Sequence, residues 1–274
     1  GNTNSALKLF EEYFEVYPQG SFSKVVLYYL AEIYFEMERF DDALIAYKNL
    51  IEGSVSNYTE KALTRIISLL KNNNQQIKAI PYMEKLIEIS SFNENRRFAI
   101  LNLMQAYYFN EQYQKTIEIT EQVLELPDIT ENIKWDALKL NARSSLSLLD
   151  SLKAQKSYRL LENSSDKFVA AEAMYYRAYD LYRKEAYSRS NQIIAKIAEN
   201  SGQAKQWNAK SLMLLAKNYY ALEDPFQAIF ALESLIENFK AYPETIEEAR
   251  NLLLKYQVSM AKENRSIDNN DSNG

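Results

Sequence analysis

An all-α chain, a solenoid of antiparallel helix pairs, is predicted here by three observations: a helix-rich composition, a small residue recurring at nearly constant spacing, and apolar faces that match around it. The 274 residues contain only five Gly and five Pro, and 47% are hydrophobic, which suits long helices with a substantial core and disfavours a turn-rich β fold. The small residue can be followed as Ala6, Ala43, Ala79, Thr116, Ala154, Ser190 and Ala228, at separations of 37, 36, 37, 38, 36 and 38. Two helices must approach closely at such a site, and a Leu there would force their axes apart by overpacking.

The elements follow in order. A half-pair around Ala6 opens the chain. The first full pair lies near 24–57, with Leu27, Leu30, Ala31 and Tyr34 on one helix face and Ala43, Tyr47 and Leu50 on the next. Pairs near 60–93 and 97–130 repeat the first-helix face as Leu63, Ile66, Ile67 and Leu70, then Ile100, Leu103, Met104 and Tyr107. The pair near 135–168 carries Leu138, Asn141, Ala142 and Ser145, and that near 171–204 carries Met174, Ala178 and Leu181. Leu212, Leu215, Ala216 and Tyr219 mark the pair near 209–242, and Ala249, Leu252, Leu253 and Tyr256 a closing helix over 244–261. This gives one array over 1–262, six pairs with a half-pair at each end. Residues 263–274, polar and without periodicity, read as a disordered tail.

Turn chemistry agrees with these boundaries. Asp224-Pro225 supplies an N-cap acceptor followed by proline at the first helical position, and Asp41 and Asp150 are expected to cap likewise. Pro18, Pro127 and Pro243 fall between pairs. Pro81 falls inside the helix expected around Ala79 to Ile89, so a local kink is predicted there with the Ile77 carbonyl displaced.

Several function classes are disfavoured. There is no His and no Cys, which removes the commonest general base, the commonest metal ligands and all thiolate chemistry. No Gly-rich phosphate loop is present, and neighbouring acids such as Glu11-Glu12, Asp41-Asp42 and Glu247-Glu248 point in different directions on a helix. No enzyme, cofactor or metal is expected. The net charge of -5 argues against nucleic acid as a partner. No apolar run approaches the ~20 residues that span a bilayer, so this chain is not expected to insert into a membrane.

Leu30, Ala31 and Tyr34, with Ala43 and Tyr47, resemble the tetratricopeptide repeat, which has a large-then-small pair in its first helix and Ala plus an aromatic in its second. The resemblance runs from about Ser5 to Ala261, most specifically over 24–57 and 209–243, with Ser145, Asp180 and Ser190 as departures. It implies a right-handed superhelical solenoid and a non-enzymatic scaffold or adaptor holding a protein or peptide segment. The long repeat, together with Phe10 to Pro18 and Ala31 to Tyr34, is similar to the bacterial cell-envelope branch that includes the Tol-Pal accessory protein and the outer-membrane assembly lipoprotein. That likeness implies a periplasmic or envelope setting, with a cytoplasmic one as the alternative.

In such arrays the first helices line the concave face. Carried over residue by residue, this geometry implies a groove formed by Tyr28, Phe35, Phe98, Tyr108, Arg143, Tyr175, Tyr179, Tyr182, Arg183, Lys217 and Tyr220, with Glu32 also exposed to it. Tyrosine is in excess, 21 residues beside 12 Phe, and offers large contact area at low rotamer cost. Tyr175, Tyr179 and Tyr182 follow i, i+4, i+7 spacing, either a stripe that anchors a partner or one that packs on a neighbouring helix or a second copy. Arg143, Arg183 and Lys217 would supply charge for an acidic partner segment, although the carboxylate clamp of chaperone-binding relatives is not reproduced. The alternative function is a structural spacer or self-assembly module using the ends or convex face.

Overall fold

A computed structural model describes residues 3–199 and 204–271. Among them are fourteen α-helices and no strand. They group into two compact units, 1–130 and 131–274, each taken by itself below.

In the first unit, α1 (Thr3–Val16) precedes the pairs α2 (Ser23–Glu36) with α3 (Phe40–Ile51), α4 (Thr59–Asn72) with α5 (Ile80–Ile89), and α6 (Asn93–Phe109) with α7 (Tyr113–Glu125). In the second, α8 (Glu131–Ser147) pairs with α9 (Ser151–Leu161), α10 (Lys167–Arg183) with α11 (Tyr187–Glu199), and α12 (Lys205–Ala221) with α13 (Pro225–Asn238), followed by α14 (Pro243–Asp271). The predicted anchors sit between paired helices. Ala43, Ala79, Thr116, Ala154, Ser190 and Ala228 are buried, while Ala6 is half-buried. Around them pack the predicted faces, including Leu63, Ile66, Ile67 and Leu70 in the first unit and Ala216, Ala249 and Tyr256 in the second, where Leu232 and Leu235 join them.

Every pair closes through the same backbone turn. Glu38, Asn74, Glu111, Leu149, Glu185 and Glu223 each lie five residues before an anchor, and each has φ between 56° and 61°. The next N–H donates back to a carbonyl near the end of the first helix. Those bonds are Arg39 to Tyr34, Gln75 to Leu70, Gln112 to Tyr107, Asp150 to Ser145, Ala186 to Leu181 and Asp224 to Tyr219, at 2.7–2.9 Å. This is the Schellman arrangement, which satisfies carbonyls that the helix leaves orphaned. None of the six residues is glycine, so each turn stores some steric strain.

Asp150 and Asp224 cap α9 and α13, accepting from the N–H groups of Lys153 and Gln227 at 2.9 and 3.1 Å. Asp41 does not cap: α3 starts at Phe40, which leaves Asp41 inside the first turn, where it still favours the positive end of the helix dipole. Pro81 is also corrected. A 3-10 turn over Gln76–Ala79 precedes α5, so Pro81 is the second residue of that helix and no kink arises within it. The Ile77 carbonyl, which Pro81 has no N–H to meet, accepts from Ile80 instead.

The departures in the second unit are tied by hydrogen bonds rather than apolar contact. Ser190 Oγ donates to the Ala178 carbonyl and accepts from Asn218 Nδ2, both at 2.8 Å. Ser145 Oγ donates to the Asn141 carbonyl at 2.8 Å, and Ser157 Oγ to Asn141 Oδ1 at 2.9 Å. Asp180 accepts from Lys184 at 2.8 Å. Backbone helix also continues through 263–271, part of the expected tail, because no Pro or Gly interrupts the chain there; residues 272–274 lie outside the described residues.

The turn strain can be tested at Leu149, which is 88% exposed and loses little contact on truncation. Leu149→Gly is expected to stabilise the protein by about 0.5–1 kcal/mol, relief of left-handed strain outweighing the greater freedom of glycine in the unfolded chain. Chemical denaturation measures this, and an unchanged or lower midpoint would show that the turn carries no such strain.

Candidate protein-binding trough

In the second unit, Tyr175, Tyr179 and Tyr182 form a continuous aromatic stripe along α10. Tyr179 lies between the other two, its ring centroid 6.4 Å from Tyr175 and 6.2 Å from Tyr182, in stacked orientation. The stripe is seated on the core at one end, where Tyr175 leans on buried Trp207 at 5.4 Å. Trp207 in turn packs with Phe168 and Tyr176. Tyr179, in the middle, keeps 41% of its surface in water. Its phenol therefore presents a face that the fold does not use.

Opposite the stripe stand α12 and the start of α14. Lys210, Met213, Leu214 and Lys217 from α12, with Thr245 and Glu248 from α14, complete a trough of about 360 Å3, a size at the lower end of small ligand sites. Lys217 donates to Glu248 at 3.1 Å. Lys210 lies over the Trp207 ring at 4.8 Å, and among the described residues it has no carboxylate partner. The floor is apolar, the sides aromatic on one wall and cationic on the other.

The remaining predicted groove residues divide. Tyr220 packs flat on Tyr256, with ring centroids 3.8 Å apart, and donates to Ser259 Oγ at 3.0 Å, so it joins α12 to α14. Arg183 is exposed at the end of α10. Arg143 is not available to a partner: it forks onto Glu172, which also accepts from Tyr158 at 3.2 Å. The pair joins α8 to α10, with Glu172 2% exposed and Arg143 32%. Lys217 is likewise already paired. Both pairings have one cause, since first helices stacked side by side bring long cations within reach of carboxylates about one repeat away.

The first unit shows the same economy. Glu32 accepts from Tyr47 and from both Arg65 Nε and Nη2, at 3.2 and 3.1 Å for the arginine, and is therefore a link between helices rather than a free groove charge. Arg65 also covers Phe35 at 4.4 Å, and Phe35 meets Phe40 edge-on at 5.5 Å. Tyr28 stacks on Tyr58 at 4.7 Å. Tyr108 makes edge contacts with Phe109 and Tyr113, and Phe98 is half-buried on α6. Sequence reasoning missed Met213 and Leu214, which form part of the apolar floor, and Thr245 and Glu248, because α14 reads as a closing helix; continuing the first-helix pattern into it is the signal that reaches the last two.

Burial raises several phenols. Tyr175 is pushed up to about 12 by burial, then by Tyr176, Tyr179 and Glu248. Tyr256 reaches about 12 through burial beside Tyr182 and Tyr220, and Tyr34 about 12 through burial and its hydrogen bond to Glu11. Tyr47, Tyr107 and Tyr158 are raised too, again chiefly by burial.

The family model for the tetratricopeptide repeat matches residues 25–52 and 210–241. No curated protein matches. The C-terminal part of a repeat-containing protein of this type from Cytophaga hutchinsonii is similar in structure, with a TM-score of 0.56 at 14% identity, covering 90% of this chain and 94% of that one. A tetratricopeptide repeat protein from Parabacteroides merdae is 17% identical over 91% of this chain and 93% of its own, with a TM-score of 0.41. The Cytophaga structure supports a tetratricopeptide-repeat fold, and the family pattern itself is matched over those two segments. Proteins of this kind are in general non-enzymatic scaffolds for protein–protein interaction. Among the described residues no helix is long and apolar enough to cross a membrane.

Two outcomes check the electrostatics. Glu172→Gln removes the charge facing Arg143 and is expected to cost about 2 kcal/mol by denaturation, less than the ~3–5 of a fully buried pair because the arginine keeps water contact; no loss would mean the fork is not formed. For Tyr34, Tyr175 and Tyr256 the folded values lie above the ordinary ~10 of the unfolded chain. The stability they contribute is complete below pH ~10 and is lost as pH rises through ~12. Phenolate absorbance against pH should show a late-titrating fraction that joins the ordinary tyrosines once the protein is unfolded.

Proposed function

We propose that the chain is a non-enzymatic scaffold that holds a segment of a partner protein in the trough between α10, α12 and α14. The observation that carries this is the stripe Tyr175, Tyr179 and Tyr182. A row of tyrosines spaced for one helix face is usually core, yet here its middle member stays exposed and lines a hollow. Exposed phenols over an apolar floor suit an aliphatic or aromatic side chain, while their hydroxyls and Thr245 suit backbone polar groups. Lys210 favours an acidic residue beside that anchor. A net charge of -5 supports a protein partner over nucleic acid. A cell-envelope setting belongs to the same proposal, supported by the resemblance at Phe10 to Pro18, and osmotic-shock fractionation of the source cells tests it.

A displayed peptide library selected on the chain supplies ligands whatever the natural partner is. Their affinity is expected to fall by roughly 1–3 kcal/mol in Tyr179→Ala, measured by calorimetry, with thermal stability retained because the ring is partly exposed. Ligands indifferent to both Tyr179→Ala and Tyr182→Ala would place the interaction surface outside the trough.

A further inference from the structure

The other face of α10 borders a separate hollow. At about 100° per residue, Arg177, Asp180 and Lys184 fall on the side of the helix opposite Tyr175, Tyr179 and Tyr182. With Arg159 from α9, Glu162 just past its end and Arg189 from the first turn of α11, they surround about 420 Å3. Four cations meet two carboxylates in a chain whose net charge is -5. The sign is therefore local, and long-range attraction from the rest of the protein does not account for it.

Pairing inside the hollow leaves a defined remainder. Arg177 donates to Glu162 Oε2 at 2.7 Å and Lys184 to Asp180 Oδ2 at 2.8 Å. Among the described residues, Arg159 and Arg189 have neither a hydrogen bond nor an ion pair, so both guanidinium forks remain uncommitted. Arg189 stands at the amino end of a thirteen-residue helix, where the backbone adds positive potential. The other oxygen of Glu162, Oε1, is buried and has no donor. Glu162 is thereby closed to a ligand, and what the hollow still asks for is a compact doubly negative group for the two arginines.

We propose that this hollow binds a small phosphate monoester, the phosphoryl oxygens accepting from Arg159 and Arg189 and the organic body filling the rest of the hollow. Planar guanidinium forks match phosphoryl oxygens two at a time, and the volume has room for a sugar-sized body beyond the phosphoryl group. This site is independent of the tyrosine trough, since the two use opposite faces of α10.

Isothermal titration of the 274-residue chain at fixed ionic strength, with glucose 6-phosphate, inorganic phosphate and glucose as probes, tests it. Glucose 6-phosphate is expected to bind several-fold tighter than inorganic phosphate, and glucose alone not to bind. The double substitution Arg159→Ala with Arg189→Ala, both exposed, should weaken glucose 6-phosphate by about tenfold or more without lowering the thermal midpoint, whereas Tyr179→Ala should leave that affinity unchanged. Absence of binding, or an affinity the double variant does not alter, would overturn the site; equal affinity for phosphate and its sugar ester would overturn the ester as the ligand class.

Discussion

The closing of each helix pair on a left-handed residue, followed five positions later by a small anchor, is the constraint from which the other features descend. The 5-residue interval fixes where the second helix starts relative to the last carbonyls of the first, and the small side chain lets the two axes approach. Once those are set, the apolar faces of neighbouring helices meet without further instruction. The position tolerates chemistry but not volume: Thr116 and Ser190 replace alanine and remain fully buried.

Stacking the pairs then determines what the first helices can offer to a partner. Adjacent first helices bring Glu32 to Arg65, Lys71 to Asn102, Arg143 to Glu172 and Lys217 to Glu248. Charges along this face are consumed in holding neighbours together, and what remains for recognition is mostly aromatic surface. On α10, where tyrosines fall at i, i+4 and i+7, that surface becomes a continuous wall.

How much of this was legible in the sequence depends on which physical signal each feature leaves. The anchors, the apolar faces and the caps Asp150 and Asp224 are set by residue size, periodicity and side-chain hydrogen bonding, all visible along a single chain. The left-handed turns leave no such trace, because Glu, Asn and Leu occupy positions where glycine would have announced them. Pro81 carried its signal, but one residue of helix boundary separates a kink from a permitted start. The tyrosine stripe was visible as spacing, whereas the neutralisation of Arg143 and Lys217 was not, since Glu172 and Glu248 lie 29 and 31 residues away. The trough's far wall depends on α14, whose role follows from what it packs against.

Because each turn is closed by main-chain groups, its side chains are under little selection from the fold itself. Individual repeats are then free to diverge at different rates, provided one small position and one apolar face persist. This accounts for a family pattern recognisable at only two stretches of the chain, 25–52 and 210–241, while the helix pairing continues unbroken through the segments between turns in each unit. It also explains how a single pair, 171–204, could accumulate tyrosines on one side and arginines and lysine on the other: mutational drift in one module is paid for by its nearest neighbours alone.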